Sequence, residues 1–484
     1  MENVRPGRLE EYLAGAVVPE ENLARNGQWG KCVTQHEGPT SEMNDLSGSP
    51  IDATGNGGDS GPAASQPLVK PHHFPAFDGL RAIAAISVLL LHTAFVSGFT
   101  MRSSFGIYTS RLEIGVSVFF LISGFLLYRP FAVSHLAARP SPNTRRFWER
   151  RLLRIVPAYW LALTLLTYVF HLVTLGPGVG EVFIHYFFLQ IYFPKAVFFG
   201  IPQAWSICTE MSFYLFLPLY AAVVGLRRRL QERQMLVELL GIVALFVTSF
   251  AFRWWSTHLP VIKVVNGHFE AVCYPNCATQ APVPALMPDW LPARLDLFAF
   301  GMLLAVVSAW WTERDSEPGW LSNRWMPWIS WLGAAVAFWA SSHLGIPVTP
   351  LYLTTPIKGI ELQTLYGVFA FLLLLPAVFG PQDTSVIRRF LRCWPVASLG
   401  VISYGIYLWH LDLINQFMSW SGYVKGAVPY WILVGAVMGM TIVAASISYF
   451  GLERPILRVK NHLGWWSRPT GIADPGEEAD VLTK

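Results

Sequence analysis

Runs of about 20 apolar residues recur along most of this chain and limit what it can fold into. A helix of about 20 residues is the length that crosses a hydrocarbon layer of about 30 Å. Only 14% of the 484 residues are charged, whereas an average soluble domain has about 25%. The runs therefore predict an all-α integral membrane protein, and the small net charge of +4 gives no sign of a nucleic-acid partner.

Ten of these runs have the length and composition of membrane-spanning helices. They are Phe77–Val96, Leu112–Phe131, Leu152–Val173, Trp205–Leu226, Met235–Trp254, Pro292–Trp311, Pro327–Leu344, Thr364–Gly380, Trp394–Ile414 and Tyr430–Leu452.

Positive charge decides whether an eleventh segment, Val182–Gly200, also crosses the bilayer. The basic residues form four groups within Arg139–Arg151, Arg227–Arg233, Arg388–Arg392 and Arg454–Lys460. With ten spans all four groups lie on one side, and the positive-inside rule makes that side cytoplasmic. We expect about ten spans in a plasma membrane, both termini in the cytoplasm, and Val182–Gly200 as a short outer-face or re-entrant segment.

The ends of the chain differ from its middle. Residues 1–75 are rich in Gly, Ser, Pro and Asn and predict a disordered cytoplasmic tail. Residues 76–456 form the predicted membrane domain, and residues 457–484 a cytoplasmic C-terminal tail. Cys273 and Cys277 fall in a predicted outer loop, where they form either a disulfide or half of a metal site with His258 and His268. We expect neither to be needed for chemistry, and no metal at the site.

Ionisable residues inside a span are costly and indicate function. Arg81 and His92 lie 11 residues apart on the first run, which places them on one helix face about 16 Å apart. Glu210 lies about 8 Å into its run, at a depth predicted to match that of His92. A carboxylate beside an imidazole favours general-base catalysis. The alternatives are a snorkelling arginine, a packing histidine and a structural ion pair.

Two further groups of residues can be interpreted as either functional or structural. His410 follows Tyr404, Tyr407 and Trp409 near the outer end of its run, where aromatic residues are also typical of an interfacial belt. Arg151 and Arg154 are neighbours on a helix surface and suit phosphate binding. The same two arginines also satisfy the positive-inside rule.

The motifs resemble those of the acyltransferase 3 family of membrane O-acyltransferases. In chain order they are Phe77-Asp78-Gly79-Leu80-Arg81 with His92; Phe119-Phe120 with Ser123-Gly124-Phe125; Arg151 and Arg154 with Pro157; Trp205-Ser206 with Glu210; Arg294, Asp296 and Phe298 with Gly301; Ser403-Tyr404-Gly405 with Tyr407, Trp409 and His410; and Glu453-Arg454-Pro455. They cover residues 77–455. Ser117 departs from the pattern, because relatives often have Asp there.

The resemblance implies a reaction and roles for these residues. An acyl-CoA donor, expected to be acetyl-CoA, would meet the hydroxyl of an extracytoplasmic carbohydrate or glycolipid of the cell envelope. His92 would be the base or acyl relay, supported by Arg81 and Glu210, with Arg151 and Arg154 at the donor entrance. Supporting or substrate contacts would come from Asp78, Trp205, Ser206, Tyr404, Tyr407 and His410.

Other implications concern cofactors and partners. We expect no tightly bound cofactor and no fused extracytoplasmic hydrolase-like domain. The enzyme would act alone, as a homo-oligomer, or with a separate extracytoplasmic partner.

Two other functions remain open from the residues alone. A transporter or flippase of a lipid-linked glycan would line its path with polar residues, but it would show internal repeats and broken helix pairs. A membrane scaffold would use the same residues only for packing. Labelled acyl-CoA distinguishes the three, because only an acyltransferase leaves an acylated product.

Overall fold

The computed structural model describes residues 74–226, 233–259, 262–265, 268–271, 281–314, 316–348, 355–381 and 385–462. Nearly all of the predicted N-terminal tail, most of the predicted C-terminal tail, and Cys273 and Cys277 lie outside these residues. The described part is helical except for one antiparallel hairpin of β1 (Ile262–Val265) and β2 (His268–Ala271), in which Val265 is paired with His268. The all-α membrane fold is confirmed.

Seventeen helices are defined within the described residues. They are α1 (Ala76–Val96), α2 (Phe99–Arg102), α3 (Gly106–Thr109), α4 (Ile114–Leu136), α5 (Thr144–Thr164), α6 (Val179–Tyr186), α7 (Trp205–Gly225), α8 (Gln234–Thr257), α9 (Val283–Leu286), α10 (Leu291–Arg314), α11 (Met326–Ser342), α12 (Pro356–Val378), α13 (Val386–Arg392), α14 (Trp394–Val401), α15 (Ser403–Ser421), α16 (Tyr430–Ser448) and α17 (Arg454–His462). Single π-helical turns, 165–169 and 449–453, extend α5 and join α16 to α17.

Eight of the described helices or helix pairs are long and apolar enough to cross a membrane. A ninth is added if α14 and α15, which meet at a bend of 71°, count as one broken span. The remaining predicted span corresponds to α11, which has 17 residues and stands at the lower limit of spanning length. With α11 the described residues hold nine or ten candidate spans, in agreement with the predicted number of about ten.

The segment 182–200 does not form a spanning helix. Only α6 is α-helical there, with 8 residues, and three short 3₁₀ turns follow it before α7. Eight helical residues reach about 12 Å, well short of the bilayer core. Tyr159 Oη donates to the carbonyl of His185 at 3.0 Å and so ties α6 to α5. This agrees with the predicted short outer-face or re-entrant element.

The core of the fold is a close crossing of α4 and α10. A Cβ on Gly124 would overlap the carbonyl of Phe298, and a Cβ on Gly301 would overlap the carbonyl of Leu121. Small residues let helix backbones approach closely in a bilayer, where packing replaces the hydrophobic effect. Both glycines belong to the motifs of the sequence analysis, so the motifs also specify the helix packing.

Helix α1 occupies the centre of the motif-bearing helices. It packs against α4, α14 and α15. At its start, Gly79 lies against the backbone of Leu391, and Gly400 of α14 lies against the carbonyl of Asp78. Helix α1, which carries Arg81 and His92, therefore packs against helices from both halves of the chain.

Candidate active site

Two histidines from distant parts of the chain meet in the site. His92, near the end of α1, and His410, on α15, are 318 residues apart in sequence. His410 Nε2 lies 3.0 Å from His92 Nδ1, and His92 Nδ1 lies 2.9 Å from the carbonyl oxygen of Val88. His410 is fully buried, whereas His92 is partly exposed.

The hydrogen bonds assign the tautomers of this pair. A carbonyl only accepts, and His410 Nδ1 lies 2.7 Å from the carbonyl oxygen of Tyr407. The proton of neutral His410 is therefore on Nδ1, and its Nε2 accepts. His92 Nδ1 then faces two acceptors and must donate, which leaves the lone pair of neutral His92 on Nε2. That nitrogen can take a proton or attack an electrophile.

Helix α15 is held by a second set of polar contacts around Tyr407. Its hydroxyl donates to the carbonyl of Gln203 at 2.9 Å and lies 2.7 Å from Ser206 Oγ. The Gln203 side chain donates in turn to the carbonyl of Leu408 at 2.6 Å and to Asp412 at 3.4 Å. The stretch of α15 from Tyr407 to Asp412, which includes His410, is thus fastened to the start of α7 and the turn before it.

Glu210 has partners other than the predicted one. It accepts from Tyr214 Oη at 2.7 Å and from Ser123 Oγ. It also interacts electrostatically with Arg81 and Arg151. No hydrogen bond joins Glu210 to His92 among the described residues, so the predicted role of Glu210 in orienting His92 stays a prediction. Equal depth in a bilayer does not bring two helix faces together.

Arginines gather at the other end of α1. Arg81 Nη1 donates to Asp78 Oδ1 at 2.7 Å. Arg81 also lies within electrostatic range of Arg151 and Arg154 on α5. Three carboxylates lie among these guanidinium groups, Asp78 and Glu210 near Arg81 and Glu453 near Arg154. Neighbouring guanidinium groups such as those of Arg151 and Arg154 suit phosphate binding. Arg151 and Arg154 belong to the same cluster as Arg81.

Tyr404 joins this arginine cluster to the histidine pair. It lies on α15, six residues before His410, and its hydroxyl donates to the carbonyl of Ile155 at 3.1 Å. Ile155 directly follows Arg154 on α5. One helix thus contacts both ends of the site, which are about 16 Å apart along α1.

Trp205 takes part in a separate polar network. The Arg294 guanidinium lies over its ring at 5.1 Å from the centroid and bonds Gln363 at 2.8 Å and Asp289 at 3.1 Å. Asp296 completes the network, because it accepts from side chains of α8 and α12. Its donors are Ser249 at 3.0 Å, Arg253 at 2.9 Å and Gln363 at 2.9 Å. These bonds make Arg294 and Asp296 cross-links between helices.

Sequence reasoning missed some residues that build the site. Ser123 was quoted only as part of a motif, yet it bonds Glu210. Gln203 and Asp412 were not singled out, although Asp412 is a carboxylate inside an apolar run. That signal could have identified Asp412. No group of three or more potential metal ligands occurs in the described part of the chain.

Comparison with known proteins gives the family. A family model described as an acyltransferase domain, of the acyltransferase 3 type, matches residues 74–450. The chain belongs to this acyltransferase family. Membership confirms the prediction of a membrane O-acyltransferase made from the motifs. No solved structure was found to match the chain.

Several curated proteins from bacteria are similar to this acyltransferase. It is 24% identical over 405 residues to the O-acetyltransferase OatA of Staphylococcus aureus (strain NCTC 8325 / PS 47), covering 80% of this chain and 58% of the relative. It is 24% identical over 427 residues to the peptidoglycan O-acetyltransferase OatA of Listeria monocytogenes, covering 82% and 60%. It is 26% identical over 434 residues to the acyltransferase MdmB of Streptomyces mycarofaciens, covering 85% and 98%.

The coverage limits what these relatives say about this enzyme. The chain spans about 58% of the length of the OatA proteins and nearly all of MdmB. The part shared with all three is the membrane domain that contains the histidine pair and the arginine cluster.

Proposed function

We propose that this acyltransferase moves an acyl group, expected to be acetyl, from cytoplasmic acyl-CoA to a hydroxyl of an envelope carbohydrate or glycolipid. The observation that carries the proposal is the lone pair on Nε2 of a partly exposed His92, on the same helix as an arginine cluster. The names of the OatA relatives support O-acetyl transfer. The enzyme would lie in a plasma membrane with both termini cytoplasmic.

The donor would bind at the arginine end. Coenzyme A carries phosphates, and paired guanidinium groups are well suited to bind them. Arg151 and Arg154 would hold these phosphates, while Arg81 stays fixed by Asp78. The pantetheine arm would extend along α1 and deliver the thioester to His92, about 16 Å away. This would let a donor that enters from one face react near the other.

Two routes of transfer use the same nitrogen. In the first, His92 Nε2 removes the proton of the acceptor hydroxyl while its oxygen attacks the thioester carbon. The C–S bond breaks, and the CoA sulfur leaves with the proton from the imidazolium. In the second, Nε2 attacks the thioester carbon, the C–S bond breaks, and CoA leaves as the thiol with the Nδ1 proton. The acceptor hydroxyl then attacks the acyl-imidazole, the C–N bond breaks, and the hydroxyl proton returns to the imidazole.

His410 would act as a positioning residue in both routes. Its Nε2 accepts the Nδ1 proton of His92 and so keeps the reactive lone pair on His92 Nε2. An uncharged partner also leaves His92 free to change its protonation state during the reaction. Tyr407, Ser206 and Gln203 would support His410, and Glu210 with Ser123 would shape the arginine end.

The test is acetyl transfer in membrane vesicles that contain the full chain. Vesicles are incubated with labelled acetyl-CoA, and alkali-labile label is measured in the glycan and glycolipid fractions. We expect His92→Ala to abolish incorporation and Arg151→Gln to raise the KM for acetyl-CoA. A matched control is His343→Ala, an exposed histidine whose Nδ1 also bonds a carbonyl four residues earlier, 2.7 Å from Trp339 O.

Three results would count against the proposal. Normal incorporation by a membrane-inserted His92→Ala enzyme would remove His92 from the reaction. An unchanged KM in Arg151→Gln would remove the arginine cluster from donor binding. Movement of a labelled glycan across the bilayer without any new ester would instead favour the transporter.

A further inference from the structure

A cavity distinct from the proposed active site lies where α11 and α13 begin. Its volume is about 300 Å³. Its walls come from two segments of the chain that are about 60 residues apart. The lining residues are Arg324, Trp325, Trp328, Ser385, Val386 and Arg389.

Two of the lining side chains, Arg324 and Arg389, are arginines. Arg324 and Arg389 are exposed and form no ion pair with any residue that the structure describes. The Arg324 guanidinium lies over the Trp325 ring, 5.4 Å from its centroid. Two guanidinium groups on one concave surface form a binding site for a phosphate group.

Arg388, which precedes Arg389 on α13, has a structural role. Arg388 is fully buried, and its guanidinium donates to the carbonyls of Pro376 at 2.9 Å and Phe379 at 2.6 Å. It anchors α13 to the end of α12. Arg389, the next residue, points its charge to the cavity surface instead.

An apolar stripe continues from the cavity along α11. Ile329, Leu332, Val336 and Trp339 recur at intervals of three and four residues and are 55–69% exposed. The stripe spans 10 residues, or about 15 Å, which is half the thickness of the hydrocarbon core and so one leaflet deep. Trp325 and Trp328 lie at its head, where tryptophans meet lipid headgroups.

We propose that this cavity binds the phosphate of an anionic phospholipid whose acyl chain lies along the stripe on α11. Arg324 and Arg389 bind the headgroup, and the two tryptophans pack against its glycerol region. A soluble phosphate compound, such as coenzyme A or inorganic phosphate, would use the same arginines. The lipid is favoured because the apolar stripe begins at the cavity and has the depth of a leaflet. The proposal does not depend on the acyl-transfer reaction.

Native mass spectrometry of the full chain in detergent tests the proposal. Phosphatidylglycerol and phosphatidylcholine with the same acyl chains are titrated separately, and bound lipid is counted. We expect phosphatidylglycerol to bind more tightly than phosphatidylcholine. The double variant Arg324→Gln/Arg389→Gln should weaken the binding of phosphatidylglycerol about 30-fold, which is the effect of removing two basic residues near a lipid surface. The matched control is Arg145→Gln/Arg392→Gln, which removes two exposed arginines outside the cavity.

A second comparison separates lipid from soluble phosphate. The double variant Ile329→Ala/Leu332→Ala shortens the stripe and is expected to weaken long-chain phosphatidylglycerol several-fold, while leaving glycerol phosphate binding unchanged. Equal binding of both lipids, or equal losses in the two arginine variants, would overturn the proposal. So would glycerol phosphate, coenzyme A or inorganic phosphate binding as tightly as the lipid.

Discussion

Two histidines in this enzyme have the same pattern of ring hydrogen bonds but opposite surroundings. His92 donates from Nδ1 to Val88 and His410, and its ring is partly exposed. His135, on α4, bonds through Nδ1 to Glu238 Oε1 at 2.7 Å and is 1% exposed. His135 Nε2, in contrast, is buried and has no hydrogen-bond partner among the described residues.

The comparison shows that the two histidines differ both in access to the surface and in the group that Nδ1 contacts. A carboxylate partner makes an imidazole more basic, and sequence reasoning expected one beside His92. The structure gives the carboxylate to His135 instead, in a sealed cluster where Glu238 also accepts from Tyr128 at 2.5 Å. His92, the more accessible of the two histidines, is paired with the ring of His410.

The largest expected effect is on catalysis. His92→Ala should lower acetyl transfer by about 100-fold to 10,000-fold, the usual contribution of a general base. His135→Ala should leave transfer per folded molecule unchanged, because its Nε2 is sealed. The acetyl-transfer rates of both variants are measured on purified protein of equal monodispersity. A comparable loss in both variants would end the distinction drawn from access.

The next effect is on stability. Glu238→Ala removes the acceptor of Tyr128, His135 and Gln234. It should destabilise the protein by about 3 kcal/mol, because it leaves buried hydrogen-bond donors without their acceptor. Thermal unfolding in detergent measures the loss. Glu238→Gln keeps one acceptor oxygen and should destabilise the protein less than Glu238→Ala does. Unchanged unfolding in Glu238→Ala would show that the cluster contributes little to the fold.

A smaller effect is expected from His410→Ala. Without its Nε2, His92 keeps Val88 as a partner but loses the contact that holds its ring. Positioning partners of this kind contribute about 10-fold to 100-fold. We expect that loss in kcat with the KM for acetyl-CoA unchanged, and partial rescue by His410→Gln, whose amide oxygen can accept. A change confined to KM would place His410 in donor binding.

The smallest effect comes from the contact that supports His410. Tyr407→Phe removes the bond to the Gln203 carbonyl and the partner of Ser206. One net hydrogen bond is worth about 1 kcal/mol. A fall in kcat of no more than about 10-fold is expected, smaller than that of His410→Ala. The double variant Tyr407→Phe/His410→Ala should be no worse than His410→Ala alone.

The sequence predicted the features that depend on one segment at a time. The apolar runs located the spanning helices, and the spacing of Arg81 and His92 placed them on one face of α1. The distribution of basic residues also indicated that 182–200 does not cross. Two features of the spans were not predicted: α11 has only 17 residues, and the chain bends by 71° at Ile402. Both features depend on packing against other helices.

Pairings between helices were harder to predict. His92 meets His410 because α1 and α15 pack together, and Glu210 meets Ser123 because α7 and α4 do. The depth of a residue in the bilayer gives its position along the membrane normal, but not its position in the membrane plane. The rotation of each helix about its axis decides the contact, and glycines such as Gly124 and Gly301 help to set which faces meet.

The bend between α14 and α15 has a consequence for how the enzyme is made. Helix α14 has 8 residues, too few to cross a bilayer by itself. Its Gly400 rests on the backbone of Asp78, and His410 follows on α15. Synthesis therefore leaves both ends of α1 without these contacts until more than 300 further residues have been added. A nascent chain interrupted before α15 would contain most of its spans and still lack a completed histidine pair.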